Sequence, residues 1–341
     1  MPRARSKTAD LLGEAAGVIV LREAVCHGDP AAAAALAGAL QASAAYLREV
    51  AARSIAQAAR ALDGEWPGGL AGSARAAEAL ATVMRQAADG GAAADPGCRV
   101  RQEAVIALGE LRVSAERAEA PLRQAVSTVQ LENVGGEMED TAVTLRGNAA
   151  LVMAQLGCDC LCDLGLLLFD GLPDLERKRD PKRAARVAAA RALGLLGRSD
   201  AAAPLAIRLR ETQESGEVLA ECIDALRALR HPRTAEWTAP LLDSAEPLAA
   251  VAAASTLCAL QPAAALPKVL ARIGGSGEAL AEALTTVLAG ARAVEATAAL
   301  RRLVRDRRPR VRAAARAALE ERGEGCGDEA AQQGGGGKPL P

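Results

Sequence analysis

Aromatic side chains are almost absent from this sequence of 341 residues. The whole set consists of Tyr46, Trp66, Phe169 and Trp237. The core of a β-sandwich or β-barrel needs many aromatic and β-branched side chains, so this scarcity argues against an all-β fold. Alanine, the strongest helix former, is by contrast abundant along the chain. We therefore predict an all-α protein whose helices approach one another closely across small side chains.

Histidine and recognisable catalytic motifs are equally scarce. The two histidines, His27 and His231, lie far apart, one at a predicted helix end and one at a turn, so a histidine metal site is not expected. No nucleophile elbow or paired-carboxylate signature occurs, and the Gly-rich segment 274–277 lacks the lysine that a phosphate-binding loop requires. We therefore expect no cofactor and no enzymatic activity.

A long uncharged apolar segment is also missing, which argues against a membrane span. The apolar stretch near the N-terminus is interrupted by Glu14, Arg22 and Glu23, so a secretory signal is not expected. The formal net charge of −1 gives no overall bias toward nucleic acid or a membrane surface. Eight scattered cysteines do not form a disulfide framework, which indicates a reducing cytoplasm. The bias toward alanine and arginine is typical of a GC-rich bacterial genome.

Three of the cysteines stand close together, as Cys158, Cys160 and Cys162. On a helix, Cys158 and Cys162 would share one face while Cys160 points away. Zinc sites usually combine two cysteine pairs, and no second pair lies nearby in the sequence. We interpret the three as small residues at a helix contact, with a redox or metal role as the alternative.

A two-helix pattern recurs along most of the chain. Residues 185–209 show it most clearly, as an amphipathic helix, a Gly-Arg-Ser-Asp turn and a second apolar helix. In the first helix of each copy, apolar residues recur at offsets zero, four, seven, eight and eleven, which is one face of a helix. Copies begin at residues 100, 145, 185, 218, 249 and 311. Repeats of this length that consist of paired helices predict an α-solenoid.

The segments VRQEAVIALGEL, ARVAAARALGLLG and VRAAARAALEERG resemble HEAT repeats, especially the short HEAT-like type of the phycobilisome lyases. The resemblance covers about residues 95–323 and implies a right-handed superhelix, with first helices on the convex side and second helices on the concave side. Some HEAT-repeat hydroxylases bind iron through repeated His-Glu pairs, and that motif is absent here. The resemblance specifies packing and says little about activity.

Four regions follow from these patterns. Residues 1–8 are a basic lead that we expect to be disordered, and residues 9–94 are divergent helical repeats or a cap. Residues 95–323 are the HEAT-like array, and residues 324–341 are a Gly-rich tail that we expect to be disordered. Within the array, residues 132–141 are predicted to form an acidic loop and residues 171–182 a charged loop.

Arginine supplies the candidate functional residues. The arginine at offset one of several copies (Arg101, Arg146, Arg186 and Arg312) is predicted to pair at the surface with acids of the neighbouring repeat. The densest basic cluster lies near the end of the array. From it we select six residues as candidates for partner binding: Arg301, Arg302, Arg305, Arg308, Arg310 and Arg312.

The sequence favours a non-enzymatic scaffold that binds a protein partner of unknown identity through its concave or edge surfaces. One alternative is an enzyme similar to the phycobilin lyases. Another is a binder of nucleic acid or of an acidic protein through the Arg-rich end. Nucleic acid is the weaker version, because aromatic residues that could stack on bases are missing.

Overall fold

The computed structural model describes residues 2–171, 180–211, 213–291 and 294–323, with side chains from Asp10 onward. Helices account for 76% of the described residues, which confirms the all-α class. Residues 1–231 form one compact unit, unit 1, and residues 232–341 form a second, unit 2. The described helices of unit 1 are α1 (Pro2–Cys26), α2 (Pro30–Gly38), α3 (Ala45–Ala61), α4 (Gly69–Ala94), α5 (Arg99–Glu110), α6 (Ala115–Val126), α7 (Val143–Gln155), α8 (Leu161–Leu168), α9 (Arg183–Leu195), α10 (Ala202–Arg208) and α11 (Gly216–Ala228). Those of unit 2 are α12 (Thr234–Thr238), α13 (Pro247–Leu260), α14 (Pro262–Gly275), α15 (Glu278–Gly290), α16 (Val294–Leu303) and α17 (Pro309–Glu321).

Unit 1 is built from two layers of helices. The odd-numbered helices α1 to α11 stack side by side, each against the next. The even-numbered helices α2 to α10 lie beside them and contact the odd-numbered helices that precede and follow them. Each pair buries its apolar faces only by stacking on its neighbours, which is the organisation of an α-solenoid. The predicted fold class is therefore confirmed.

Unit 2 repeats this organisation. Helices α13, α15 and α17 stack in one layer, and α14 and α16 pack beside them. The short helix α12 and the 3-10 helix Ala239–Asp243 pack against α13. Helices α15 and α16 form a further pair between the sequence copies that begin at residues 249 and 311. Among the described helices of both units, none combines the length and the apolarity needed to cross a bilayer.

The predicted apolar stripe is the buried face of the odd-numbered helices. In α5, all five stripe residues (Val100, Ala104, Ala107, Leu108 and Leu111) are buried. Helix α3 has the same spacing in residues 47–58, and its stripe is also buried. This copy lies within residues 9–94, which were predicted to be divergent helical repeats or a cap. Helix α3 packs on α5 as α7 packs on α9, so the helix stack includes it.

Alanine content alone favours one helix from residue 30 to about Leu62, but this segment forms two helices. Helix α2 ends at Gly38, and α3 begins at Ala45. Between them, the guanidinium of Arg48 donates hydrogen bonds to the carbonyls of Ala42 (3.0 Å) and Ser43 (2.9 Å). Alanine propensity alone gives no signal for this break, because bonds from an arginine side chain to these carbonyls hold the reversal in place.

The predicted acidic loop between α6 and α7 is a β-hairpin. Strand β1 (Leu131–Val134) pairs antiparallel with β2 (Glu137–Asp140), and Val134 faces Glu137 across the turn. The turn residues Gly135 and Gly136 both have positive φ, 66° and 99°, as a tight two-residue hairpin turn requires. The Gly-Gly pair between two short segments was the signal for this hairpin.

Glycine permits the closest helix contacts in unit 1. A Cβ atom on Gly194 of α9 would lie 3.0 Å from Cα of Ala225 in α11. A Cβ on Gly109 of α5 would lie 3.0 Å from Val152 of α7. At these points the backbone of one odd-numbered helix contacts a residue of the next odd-numbered helix directly. A larger residue in place of the glycine would force the two helices apart.

Candidate functional site

An aspartate six residues before the offset-one arginine recurs four times along the chain. The pairs are Asp95 with Arg101, Asp140 with Arg146, Asp180 with Arg186, and Asp306 with Arg312. In unit 1 the three arginines are buried and pair with their aspartates at N–O distances of 2.8, 2.8 and 2.5 Å. The sequence-based prediction of surface pairs is wrong for these three. Each guanidinium extends back over the N-terminal end of its helix, where the preceding loop supplies the acid.

The most deeply buried charges lie between α9, α10 and α11. Arg186 donates from Nε and Nη2 to the two carboxylate oxygens of Glu214, at 3.1 and 3.0 Å. Arg208 forms an ion pair with the same carboxylate, and all three side chains are buried. The Arg208 guanidinium also lies 5.1 Å from the ring centroid of Phe169. The Glu214 carboxylate therefore pairs with two buried guanidinium groups, and its removal would take this partner away from both.

A second acid links this cluster to the preceding repeat. Asp170, at the end of α8, pairs with Arg146 (3.1 Å) and with Lys182 (2.7 Å). Its carbonyl accepts a hydrogen bond from Arg186 at 3.4 Å. The chain of contacts thus runs from Asp140 through Arg146, Asp170 and Arg186 to Glu214.

The Arg101 cluster uses neutral partners as well as an acid. Arg101 donates to Gln130, and Gln130 donates to Glu132 of β1 at 2.6 Å. Hydrogen bonds from Thr141 and Gln130 lower the pKa of Glu132. Burial raises the pKa of the adjacent Cys98 thiol to about 11, so this cysteine is a thiol near neutral pH. These contacts join the base of the hairpin to the start of α5.

In unit 2 the corresponding arginine binds backbone instead of a carboxylate. Nη1 of Arg312 donates to the carbonyls of Asp306 and Arg307, both at 2.9 Å. The carboxylate of Asp306 accepts hydrogen bonds from Arg308 instead. Nε and Nη2 of Arg308 donate to its two oxygens, each at 2.9 Å. The hydrogen bonds and charge of Arg308 lower the pKa of Asp306 to about 2.

The six arginines predicted to bind a partner divide into two groups. Arg308 also donates to the carbonyls of Ile273 (2.9 Å) and Ser276 (2.7 Å), so it and Arg312 hold the fold. The backbone N–H of Arg310 donates to Glu278, and its guanidinium lies 3.8 Å from Glu282. Arg301, Arg302 and Arg305 are exposed near the end of α16. The structure thus gives fold-supporting contacts to three of the six, and a partner role for any of them stays a prediction.

The three clustered cysteines do not share one helix, so the helical arrangement considered for them in the sequence is wrong. Cys158 and Cys160 lie in the turn between α7 and α8, where both are buried, and Cys162 is exposed on α8. Burial raises the pKa of Cys158, and burial raises that of Cys160 to about 12. Within the described ranges, no group of three or more His, Cys, Asp or Glu side chains could hold a metal ion.

A groove lined by both apolar and charged residues, from the end of α6 to α8, is a surface feature that sequence reasoning missed. It has a volume of about 370 Å³, and its lining includes Val129, Leu166 and Phe169. The most exposed of these is Leu166, at 76%. We call this surface the hairpin groove and include in it the two exposed hairpin residues Leu131 and Met138.

Strand register places Leu131 and Met138 on one side of the hairpin. Leu131 pairs with Asp140 and Met138 with Asn133, and residues paired in this way share a face. Asp140 on that face pairs with Arg146, which also lines the pocket. The apolar hairpin face and the end of α8 therefore flank the same buried ion pair.

Neither a protein-family model nor a curated protein matches this chain. Among solved structures, the complex of CpcE and CpcF of phycocyanin lyase from Nostoc sp. PCC7120 matches with a TM-score of 0.38 and 20% identity, over 65% of this chain and 82% of that chain. Human deoxyhypusine hydroxylase in complex with glycerol matches with a TM-score of 0.28 and 20% identity, over 89% of this chain and 87% of that chain. The stacked helix pairs themselves confirm the predicted HEAT-like fold.

The expectation that this chain is not an enzyme requires correction. The two matched proteins carry the names of enzymes, a lyase and a hydroxylase. The expectation depended on missing sequence motifs, and a helical repeat fold does not by itself exclude catalysis. At these TM-scores the matches do not indicate a reaction for this chain, and the lyase-like alternative stays a prediction.

Proposed function

We propose that this chain binds a protein partner through the hairpin groove of unit 1. The observation that carries the proposal is the concentration of exposed apolar side chains along residues 129–169. They are Val129, Leu131, Met138, Leu166 and Phe169. Single exposed apolar residues are common on proteins, but a contiguous apolar surface with a polar rim is typical of a binding site.

The charges around the hairpin groove define the kind of partner. The hairpin carries Glu132, Glu137, Glu139 and Asp140 and has no basic residue. Glu132 and Asp140 are engaged with the fold, and Glu139 lies exposed on the hairpin face opposite Leu131 and Met138. A segment that combines apolar side chains with lysine or arginine would fit both the exposed apolar residues and the negative charge of the hairpin. We assign this chemistry to the partner segment.

The proposal can be tested by selection of binding peptides from a random library displayed on phage. We expect the selected peptides to place a basic residue next to apolar ones. Binding should protect backbone amides of residues 129–140 and 161–171 from hydrogen exchange. The double variant Leu131→Ser with Leu166→Ser should weaken the binding of these peptides at least about tenfold, because it removes two of the apolar contacts.

A matched control uses two other exposed leucines of unit 1. Leu70 and Leu195 are 91% and 52% exposed, and they lie on α4 and α9, outside the hairpin groove. Their substitution by serine should leave peptide affinity unchanged. If both double variants bind the selected peptides as tightly as the wild type, the proposal is wrong. Protection of other parts of unit 1 by the selected peptides, in place of residues 129–140 and 161–171, would also contradict it.

A further inference from the structure

Unit 2 carries a basic surface that the hairpin groove does not explain. It consists of Arg302 at the end of α16 and of Arg305 and Arg307 in the turn before α17. We call these three residues the arginine turn. All three are exposed, and no ion pair joins them to an acid in the part of the chain that the structure describes.

The nearest acid is already occupied. Asp306 lies between Arg305 and Arg307, but its carboxylate accepts hydrogen bonds from the backbone N–H of Arg308 (2.8 Å) and from the Arg308 guanidinium. These three bonds commit the Asp306 carboxylate to Arg308, although the charge of Arg307 also contributes to lowering the Asp306 pKa. One carboxylate bound in this way cannot balance the three positive charges of the arginine turn.

The C-terminal end of α16 accounts for only a small part of this charge. A helix end carries the equivalent of about half a negative charge, which favours nearby cations. The three positive charges of these guanidinium groups exceed the half negative charge of the helix end by several fold. Stabilisation of the helix end alone would require one arginine, so the other positive charges need a different explanation.

The turn is also held in one conformation. Arg308 bonds to the carbonyls of Ile273 and Ser276, and Arg312 bonds to those of Asp306 and Arg307. The amide of Arg305 donates to the carbonyl of Arg302 at 3.0 Å, which sets these two arginines one helical turn apart. Because the backbone is fixed before binding, a ligand would not have to order it.

We infer that the arginine turn binds an acidic segment of a partner protein, one that presents several Asp or Glu side chains. Guanidinium groups pair with carboxylates through two parallel hydrogen bonds, and fixed spacing lets neighbouring arginines engage successive acids. Single-stranded nucleic acid fits less well, because residues 294–323 contain no aromatic side chain on which a base could stack.

Fluorescence anisotropy with three labelled probes tests this inference on the full chain. The probes are an oligoglutamate peptide, an oligoglutamine peptide of equal length and single-stranded oligothymidine of equal length. At low salt we expect the chain to bind oligoglutamate and not oligoglutamine. Affinity should fall steeply as salt approaches physiological strength, because exposed charges are then screened.

The variant Arg302→Glu with Arg305→Glu and Arg307→Glu should weaken oligoglutamate binding at least about tenfold, since attraction becomes repulsion. The triple substitution by glutamine should give a smaller loss and guards against misfolding caused by new acids near the helix end. The control Arg75→Glu with Arg85→Glu and Arg227→Glu changes the net charge equally in unit 1, at three exposed arginines. It should retain most of the affinity.

Three results would overturn the inference: no oligoglutamate binding at low salt, equal loss in the charge-matched control, or tighter binding of oligothymidine than of oligoglutamate by the wild type. The last would identify the surface as a nucleic-acid site. None of these results bears on the hairpin groove of unit 1, because Arg302, Arg305 and Arg307 lie in unit 2.

Discussion

The same sequence pair, an aspartate followed six residues later by an arginine, has different surroundings in the two units. In unit 1, Arg186 is fully buried between Asp180 and Glu214. In unit 2, Arg312 is partly exposed and bonds to backbone carbonyls. A buried guanidinium must be paired with a carboxylate, whereas a partly exposed one tolerates neutral acceptors. The comparison teaches that the motif fixes a turn in both units but creates an obligatory charge pair only in unit 1.

Removal of Glu214 should give the largest effect. Glu214→Ala leaves Arg186 and Arg208 buried without their shared carboxylate, so we expect a loss of about 3–5 kcal/mol in the free energy of unfolding. Urea denaturation followed by circular dichroism measures the loss, and hydrogen exchange should locate it at α9 to α11. The control is Glu221→Ala in α11, the helix that follows Glu214, because its partner Arg191 is exposed. That control should cost less than about 1 kcal/mol, and equal losses in both variants would remove the distinction between the two environments.

Helix contact gives the next largest effect. Gly194→Leu should separate α9 from α11 and lower the free energy of unfolding by about 1–3 kcal/mol, because Ala225 leaves no room for the new side chain. The same substitution at Gly274 of unit 2, where a Cβ atom would meet nothing within 4 Å, should be neutral or stabilising by up to about 1 kcal/mol. Thermal and urea unfolding measure both. Similar losses at both sites would show that unit 2 is packed as tightly as unit 1.

Acid should weaken the Asp306–Arg308 contact of unit 2. The pKa of Asp306 lies near 2 in the folded chain, below its ordinary value of 3.8. Its ionised form therefore stabilises the fold above pH 3.8, and this stabilisation is lost as pH falls through about 2. Asp306→Asn should cost about 1 kcal/mol near neutral pH, and the difference from the wild type should shrink to zero near pH 2. Urea unfolding at several pH values measures this. A difference that grows on acidification would contradict the assignment.

The smallest effect is expected within the arginine-rich end itself. Arg302→Gln and Arg305→Gln should each change the free energy of unfolding by less than about 0.5 kcal/mol, because no described acid depends on them. Arg308→Gln should cost more, since Arg308 bonds to Asp306 and to two carbonyls. Equal free energies of unfolding for the three variants would contradict the distinction between Arg308, which holds the fold, and the exposed Arg302 and Arg305.

Much of the fold could be predicted from apolar spacing, because the stripe of each first helix depends on local sequence alone. The copy in α3 was missed because serine stands at offset seven, although Ser54 is buried there. The break before α3 was missed because it depends on bonds from Arg48, which a propensity argument does not contain. The hairpin had a local signal in Gly135 and Gly136, and the interpretation as a loop overlooked it.

The site was harder to predict, because charge in a sequence does not reveal burial. Arg101 and Arg302 look equally polar in the sequence, yet one is buried and the other exposed. The pocket of the hairpin groove is lined by Val129, which precedes β1, and by Leu166 of α8, which only the folded chain brings together. Its apolar residues are separated by long stretches of helix, so no continuous motif marks it.

The continuous contacts from Asp140 to Glu214 have a consequence for how such an array could change in evolution. Repeat proteins lengthen and shorten when recombination duplicates or deletes whole repeats. Deletion of the repeat that contains α9 and α10 would remove Arg186 and Arg208 together, yet leave Glu214 facing a new neighbour. Duplication would create a second set of interior charges whose partners must match at every junction. The segment from α7 to α11 should therefore be inherited as one block, and changes in repeat number should occur outside it.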